Sequence, residues 1–390
     1  MRIFSWILAF CVVLAAGYYI WGYTGKSYSQ LQPTVVPVSM MSSGANRQKG
    51  NLVAIQPYLT ASDFCDRNHF YNVLYPYFKK AQDSGWLQPR TVVVLPENIG
   101  SWLAFAEEKT KVYQADSMRQ AVATIVNSSI FNFIRYLMYT PADDKIKHAF
   151  IYMKAGTMAR IYTAVFSDLA AQFKVTIAAG SIILPQPSLD SQGRIRTKKG
   201  QLYYSAYLFG SDGQIMSRPV LKRLPEYDSG RPVAATDTNQ YILLKTPAGS
   251  LAIAASETFH TGSSFPFSAI RQVKAQVFLN GQDKIWNTLW KSKTGFSIPL
   301  QAVQAGDDSI SLNNFLQDAV NASLLSSQLP KPGAVEGAVV FNGFTGRLWE
   351  IPFKNGLSID YANLAAAPAS GPVYHQPVKQ QGTILNFWFR

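Results

Sequence analysis

Thr91-Val92-Val93-Val94-Leu95-Pro96-Glu97 is the stretch from which the fold is read. Four of its first five residues are β-branched, which suits a pleated, buried strand. Pro96 has no N–H for a ladder and ends it. An acid directly after such a strand stands where α/β sheets place their sites, at the carboxyl ends of strands. Partial desolvation beside Pro96 would raise the proton affinity of the Glu97 carboxyl toward general-base use. A helix N-terminal carboxylate or a solvated loop acid fits the same position.

Working outward, residues 52–55 form a short apolar run ending at Pro57, a second buried strand. Residues 63–83 carry Phe64, Val73, Leu74, Tyr77 and Phe78 at helical spacing and close at Ser84-Gly85. Downstream, 159–173 reads as a helix and 175–184 as a strand. Residues 202–209 and 214–216 form a hairpin across Gly210-Ser211-Asp212-Gly213, and 241–244 and 250–254 form another around Pro247-Ala248-Gly249. Residues 264–274 read as a helix, 276–279 as a strand, and 338–341 with 348–353 as a last hairpin around 343–346. Strands and helices alternating at this density, with no internal repeat, predict a mixed α/β layered sheet fold.

Within the 390 residues, 47% are hydrophobic and 13% aromatic, enough for a sizeable core and too apolar for disorder. Thirty-six Lys+Arg against 23 Asp+Glu give +13, yet only 15% of residues are charged, below the roughly 25% of ordinary soluble domains. A weakly charged, basic, apolar chain points toward a membrane. Cys11 and Cys65 exclude a disulfide scaffold and a Cys-rich metal site. His69, His148, His260 and His375 form no ligand pair at helical spacing, so no metal and no cofactor is expected. Arg194-Ile195-Arg196-Thr197-Lys198-Lys199, the one basic run, reads as a solvated hairpin tip. Without interleaved aromatics or a phosphate-cradling glycine loop, nucleic acid is not an expected partner. Anionic lipid headgroups explain the charge more economically.

Residues 3–25 contain no charge and would make a helix of about 35 Å, against a hydrocarbon core of about 30 Å. Tyr18, Tyr19, Trp21 and Tyr23 gather at its far end as an interfacial belt would. The run is longer than the apolar part of a cleaved signal peptide, so 1–23 is expected to be a transmembrane signal anchor, with the main domain outside the cytoplasm. Residues 24–50, with turn formers and prolines at 33 and 37, read as a linker to a body spanning 51–360, followed by a C-terminal extension, 361–390. Within the body, 288–334 is variable and 98–157 reads as an insertion. Its apolar stretch 129–139 is either a lid dipping into lipid or a helix packed on the sheet.

Glu97 is joined by two further features. Lys222 lies in Val220-Leu221-Lys222-Arg223-Leu224-Pro225-Glu226-Tyr227, where it can offer a fixed positive charge to a developing oxyanion or pair with Glu226 at the surface. The strand Leu251-Ala252-Ile253-Ala254-Ala255-Ser256-Glu257 follows. With Tyr204-Ser205-Ala206-Tyr207-Leu208-Phe209, Arg271, Val277-Phe278-Leu279-Asn280-Gly281-Gln282-Asp283 and Trp286, these runs in this order resemble the carbon–nitrogen hydrolase (nitrilase) superfamily, across 51–287 and 335–353. The likeness is closest to the extracytoplasmic domain of apolipoprotein N-acyltransferases. The resemblance implies a four-layer α-β-β-α sandwich and a cysteine that attacks an amide, nitrile or acyl ester to give a thioester. It implies Glu97 as general base, Lys222 as oxyanion cation and Glu226 as a supporting glutamate, with Tyr227, Ser256, Glu257, Asp283 and Trp286 around the substrate.

One position departs from the pattern. The family's nucleophile falls on Ala255, and a methyl group forms no thioester. Ser256 points to the opposite face of the strand and lacks a thiolate's nucleophilicity. A bulge or a one-residue gap would re-aim it. Three readings follow: a membrane-anchored protein of this fold that has lost catalysis and binds an acylated or amide ligand or an envelope partner; an active amidase or N-acyltransferase-like enzyme using another nucleophile or a water activated by Glu97; and a structural component of an envelope assembly. Expected partners are membrane lipid through the amino-terminal helix, the acylated or amide ligand, and a second copy of the chain.

Overall fold

The computed structural model describes residues 2–140, 145–223, 227–228, 231–232, 241–255, 275–279, 336–343, 345–354, 357–363, 373–375 and 380–389. Two large sheets dominate them. The first has seven strands in the order β1 (Val38–Ser43), β18 (Gly382–Trp388), β2 (Asn51–Gln56), β4 (Thr91–Val94), β5 (Thr176–Leu189), β6 (Ile195–Phe209) and β7 (Val220–Arg223). The second has six: β10 (Tyr241–Thr246), β11 (Gly249–Ala255), β12 (Ala275–Leu279), β13 (Glu336–Asn342), β16 (Leu357–Asn363) and β17 (Val373–His375). A small sheet joins β15 (Ile351–Lys354), β14 (Thr345–Leu348) and β3 (Tyr58–Thr60), and β8 (Tyr227–Asp228) pairs with β9 (Arg231–Pro232).

The period of two along the strands separates two apolar layers. Val53, Ile55, Val93 and Ile177 face the helices α2 (Arg67–Asp83) and α6 (Lys145–Phe173), packing with Phe70, Phe78, Tyr162 and Phe166. Leu52, Ala54, Val92, Val94 and Ala178 face the other way, with Leu208, Val220 and Ala248 from the β10–β11 turn. On that side β7 lies against β10 and β11, β2 against β13 and β16, and β18 against β16. The molecule is thus mixed α/β, with helices on one face of the first sheet and the second sheet on the other. The helix expected over 264–274 lies outside the described residues.

Several boundaries differ from the sequence reading, each for a physical reason. The helix expected at 159–173 begins at Lys145, so its first turns fall within the expected insertion 98–157. Residues Ser101–Phe105 of that insertion are also buried in the helix-side core. The expected linker supplies β1 and the expected C-terminal extension supplies β18, which pair in parallel; β18 also pairs antiparallel with β2. Their polar residues are absorbed by pairing: Asn386 Nδ2 donates to Ser42 Oγ at 2.8 Å, and Asn51 Nδ2 donates to Asn386 Oδ1 at 2.6 Å. The hairpin expected around 343–346 is instead a change of sheet, since β13 pairs with β12 and β16 while β14 pairs with β15 and β3. Of the run expected at the tip, Arg194 closes the turn with Asp190 while residues 195–199 begin β6, and Arg194 and Arg196 both pair with Asp190.

Helix α1 (Arg2–Tyr23) is long and apolar enough to cross a membrane, a length and composition that a signal sequence shares. Three shorter helices, α3 (Thr110–Tyr113), α4 (Met118–Ser128) and α5 (Ile130–Met138), connect the end of the rim described below to α6.

Candidate functional site

Glu97 sits on a tight connection locked to a bulge in the neighbouring strand. β4 and β5 are parallel, with Val94 opposite Ala178, and the β5–β6 register shifts between Ala178 and Ser181. Gly180, at φ +71°, occupies that bulge; a Cβ there would stand 2.0 Å from the Pro96 carbonyl oxygen, so only glycine fits. The extra residue re-aims Ser181. Its Oγ accepts from Asn98 N at 2.9 Å, and its carbonyl accepts from Gly100 N at 3.0 Å. Asn98 itself adopts φ +61°, which asparagine tolerates better than most residues. Glu97 is buried, 4% exposed.

The second sheet reaches this turn through Asn342, the last residue of β13. Its carbonyl accepts from Glu97 N at 3.2 Å. Its Nδ2 donates to Ile55 O at 2.8 Å and Val94 O at 2.9 Å, bridging the carboxyl ends of β2 and β4. Gln56 Nε2 donates to Gly343 O at 2.8 Å beside it. Among the described residues, Asn342 Oδ1 and Asn98 Nδ2 are buried without a hydrogen-bond partner, leaving one acceptor and one donor unused at the same rim.

Register carries the rim across the second sheet. Phe278 lies opposite Phe341, which puts Leu279 level with Asn342, and Ala255 lies opposite Leu279. β11, β12 and β13 are mutually parallel, so Ala255 ends its strand at the same height as Asn342, two strands or about 9–10 Å away. Lys222 lies in edge strand β7, opposite Tyr204, which is opposite Ile183. That height is two residues beyond Ser181, on the strand that lies against β10 and β11. Tyr227 opens β8, opposite Pro232. Glu226, Ser256, Glu257, Asp283 and Trp286 lie outside the described residues.

Other polar groups come together that the sequence reading missed. Lys154 Nζ donates to Glu108 Oε1 at 2.6 Å and to Ala106 O at 2.7 Å, with both side chains buried. Burial holds the Lys154 amine below its ordinary pKa, opposed by the Glu108 carboxylate. Asp66, His69 and Cys65 also converge, their ligand atoms within 4.8 Å of one another. Both ring nitrogens of His69 are already engaged, Nδ1 with Asp66 Oδ1 and Nε2 with Leu31 O, each at 2.9 Å. Burial pushes the Cys65 thiol well up. The cluster is the cap of α2, where Asp66 also accepts from His69 N.

No family model and no curated protein matches the sequence. Among solved structures the chain is similar to an amidase from Nesterenkonia sp., at 10% identity and TM-score 0.45, covering 87% of this chain and 89% of that one. It is similar to a mutant of the Nesterenkonia AN1 amidase, described as from the nitrilase superfamily, at 9% identity and TM-score 0.44 over 87% and 89%. A further mutant of that enzyme, carrying the acetamide moiety of fluoroacetamide on its active-site cysteine, gives 9% and 0.46 over 88% and 92%. All three TM-scores are below 0.5, and the reading of the site rests on this chain's own residues.

Proposed function

We propose that this chain is a membrane-anchored protein of the carbon–nitrogen hydrolase fold, of apolipoprotein N-acyltransferase-like type, with its body outside the cytoplasm and its catalysis lost. Glu97 stands in the place of the general base, Lys222 in that of the oxyanion cation, and Ala255 in that of the nucleophile. Without a thiol no thioester forms, and the rim serves to bind an acylated or amide ligand, or an envelope partner that presents one. The observation that supports this most is the level register of Ala255 and Asn342, whose carbonyl holds the Glu97 N–H.

A second reading, an active amidase or N-acyltransferase-like enzyme, draws on the burial of Glu97. A carboxylate held out of bulk water is suited to activating a single bound water. The test is intact-mass analysis of the full chain after exposure to a fluorophosphonate and, separately, to fluoroacetamide. The proposal expects unmodified mass apart from slow alkylation of Cys11. A stable adduct mapping to Ser256 would overturn it in favour of the second reading.

A further inference from the structure

Helix α5 packs Ile130, Phe133, Tyr136 and Leu137 on the core and leaves a second apolar strip in water. Phe131 is 68% exposed, Met138 71%, and Ile134 and Tyr139 are also exposed; only Phe133 is buried. The helix turns off α4 at 92°, and the corner is fastened to the last turns of α1. Tyr18 OH donates to Asn127 O at 2.7 Å and accepts from Ile130 N at 2.9 Å, satisfying one backbone group on each side of the break. The Tyr18 ring stands edge-on to Phe131 at 5.2 Å. Thr110 N donates to Gly25 O at 2.8 Å, and Lys26 Nζ to Glu107 O at 2.7 Å.

Positive charge surrounds this junction. Lys109 donates to the Trp21 carbonyl and lies 3.9 Å from the centroid of the Trp21 ring; Lys26 is 5.6 Å from that of Tyr23. Lys199, from the start of β6, lies 4.1 Å from the centre of the Tyr139 ring at the far end of α5. Lys109 is buried, and that burial, with Lys26 and Lys111 nearby, keeps its amine below its ordinary pKa.

We infer that the exposed face of α5 docks on the anionic bilayer surface that α1 enters, with Phe131, Ile134 and Met138 at the acyl boundary and the exposed Lys26 and Lys199 among the headgroups. Aromatic rings with lysines at a helix end mark the headgroup level, and α5 is bonded to that end, so its face lies at the same depth. This rests on the anchoring proposed above for α1, and the experiment separates the two.

Full-length protein is reconstituted into phosphatidylcholine vesicles with and without phosphatidylglycerol and labelled with a polarity-sensitive fluorophore at one thiol at a time. The thiols are native Cys11, or Phe131→Cys, Met138→Cys or Ser211→Cys in a Cys11→Ser background. Ser211 is an exposed position in the turn beside Gly213, which approaches Ser167 near the far end of α6. The inference expects labels at 131 and 138 to be blue-shifted and quenched by doxyl lipid at least about twofold more than the 211 label, more strongly with phosphatidylglycerol. Labels at 131 and 138 that remain as water-exposed as that at 211, while the Cys11 label is lipid-quenched, overturn it and leave the anchor standing. A Cys11 label that also remains in water removes both. A blue shift at 131 and 138 without lipid quenching assigns the face to a second copy or another protein and likewise overturns it.

Discussion

The rim where β4 meets β13 and the corner where α1 meets α5 both arise from a break in regular structure, and the two are closed in different ways. At the rim, the carbonyls and N–H groups freed at the ends of β2, β4 and β13 are taken up by side chains: Asn342 Nδ2, Ser181 Oγ and Gln56 Nε2. At the corner one hydroxyl, that of Tyr18, serves one group on each side of the α4–α5 break, and Phe131, Ile134 and Met138 turn outward. Buried polar groups need partners fixed in place, so the rim specifies its geometry from within. The corner fixes its backbone, while Phe131, Ile134 and Met138 stay exposed.

The largest test of the buried half is Lys154→Met. It leaves Glu108 buried without its cation and is expected to cost about 3–5 kcal/mol in denaturant unfolding, with much of the loss recovered in the Lys154→Met, Glu108→Leu double variant. A loss below about 1 kcal/mol would mean that water reaches the pair. Next comes Asn342→Ala. Two hydrogen bonds between the sheets are lost and two buried carbonyls are left open, for an expected cost of about 2–3 kcal/mol. A cost as small as that of a surface change would remove Asn342 from its role as the clasp of the rim.

Between the two regions stands His69, which ties α2 to the segment after α1. Burial lowers its pKa, but hydrogen bonds to Asp66 and to the Leu31 carbonyl more than offset this, so the net value is raised. Both partners are acceptors, so both ring nitrogens carry protons in the bonded form. The stabilisation is therefore complete below the unfolded value of about 6.5 and is lost as pH rises through the higher folded value. Resonance titration of the His69 ring checks it; a midpoint below 6.5 would contradict the assignment. The smallest effect is expected at the corner, where Phe131→Ser should change solution stability by no more than about 1 kcal/mol, since the ring is largely exposed and meets the Tyr18 ring edge-on at the surface. A loss comparable to that of a core phenylalanine would show the corner to be closed like the rim.

How legible these regions were follows from how local their signals are. The strand over 91–94, the helix over 63–83 apart from its first four residues, and the β10–β11 hairpin are read directly, because β-branched runs, helical spacing and turn residues act within a few positions. The placement of Glu97 after its strand was likewise a local feature. Asn342 was not read, because its partners Val94 and Ile55 lie 248 and 287 residues away and nothing beside it marks the contact. β18 read as an extension because Thr383 and Asn386 interrupt its apolar pattern, although the strand is buried throughout. The Glu108–Lys154 pair left no trace either, since a lysine within a helix reads as a solvated face until the packing is known. The resemblance, which depends on the order of several weak runs, is needed to connect Glu97 with Lys222, 125 residues on, and with Ala255, a further 33 residues on.

The central claim, that Lys222 and Ala255 meet at a rim that has lost only its nucleophile, is tested most directly by installing the thiol. In a Cys11→Ser background, with Cys65 buried, the rate of alkylation of Ala255→Cys is measured against pH, alone and combined with Lys222→Met. The account predicts a thiol titrating below the ordinary value of about 8.5, because the ammonium stabilises the thiolate, and a return toward that value when Lys222 is replaced. A thiol titrating at or above 8.5, or one whose titration does not move with Lys222→Met, would contradict it.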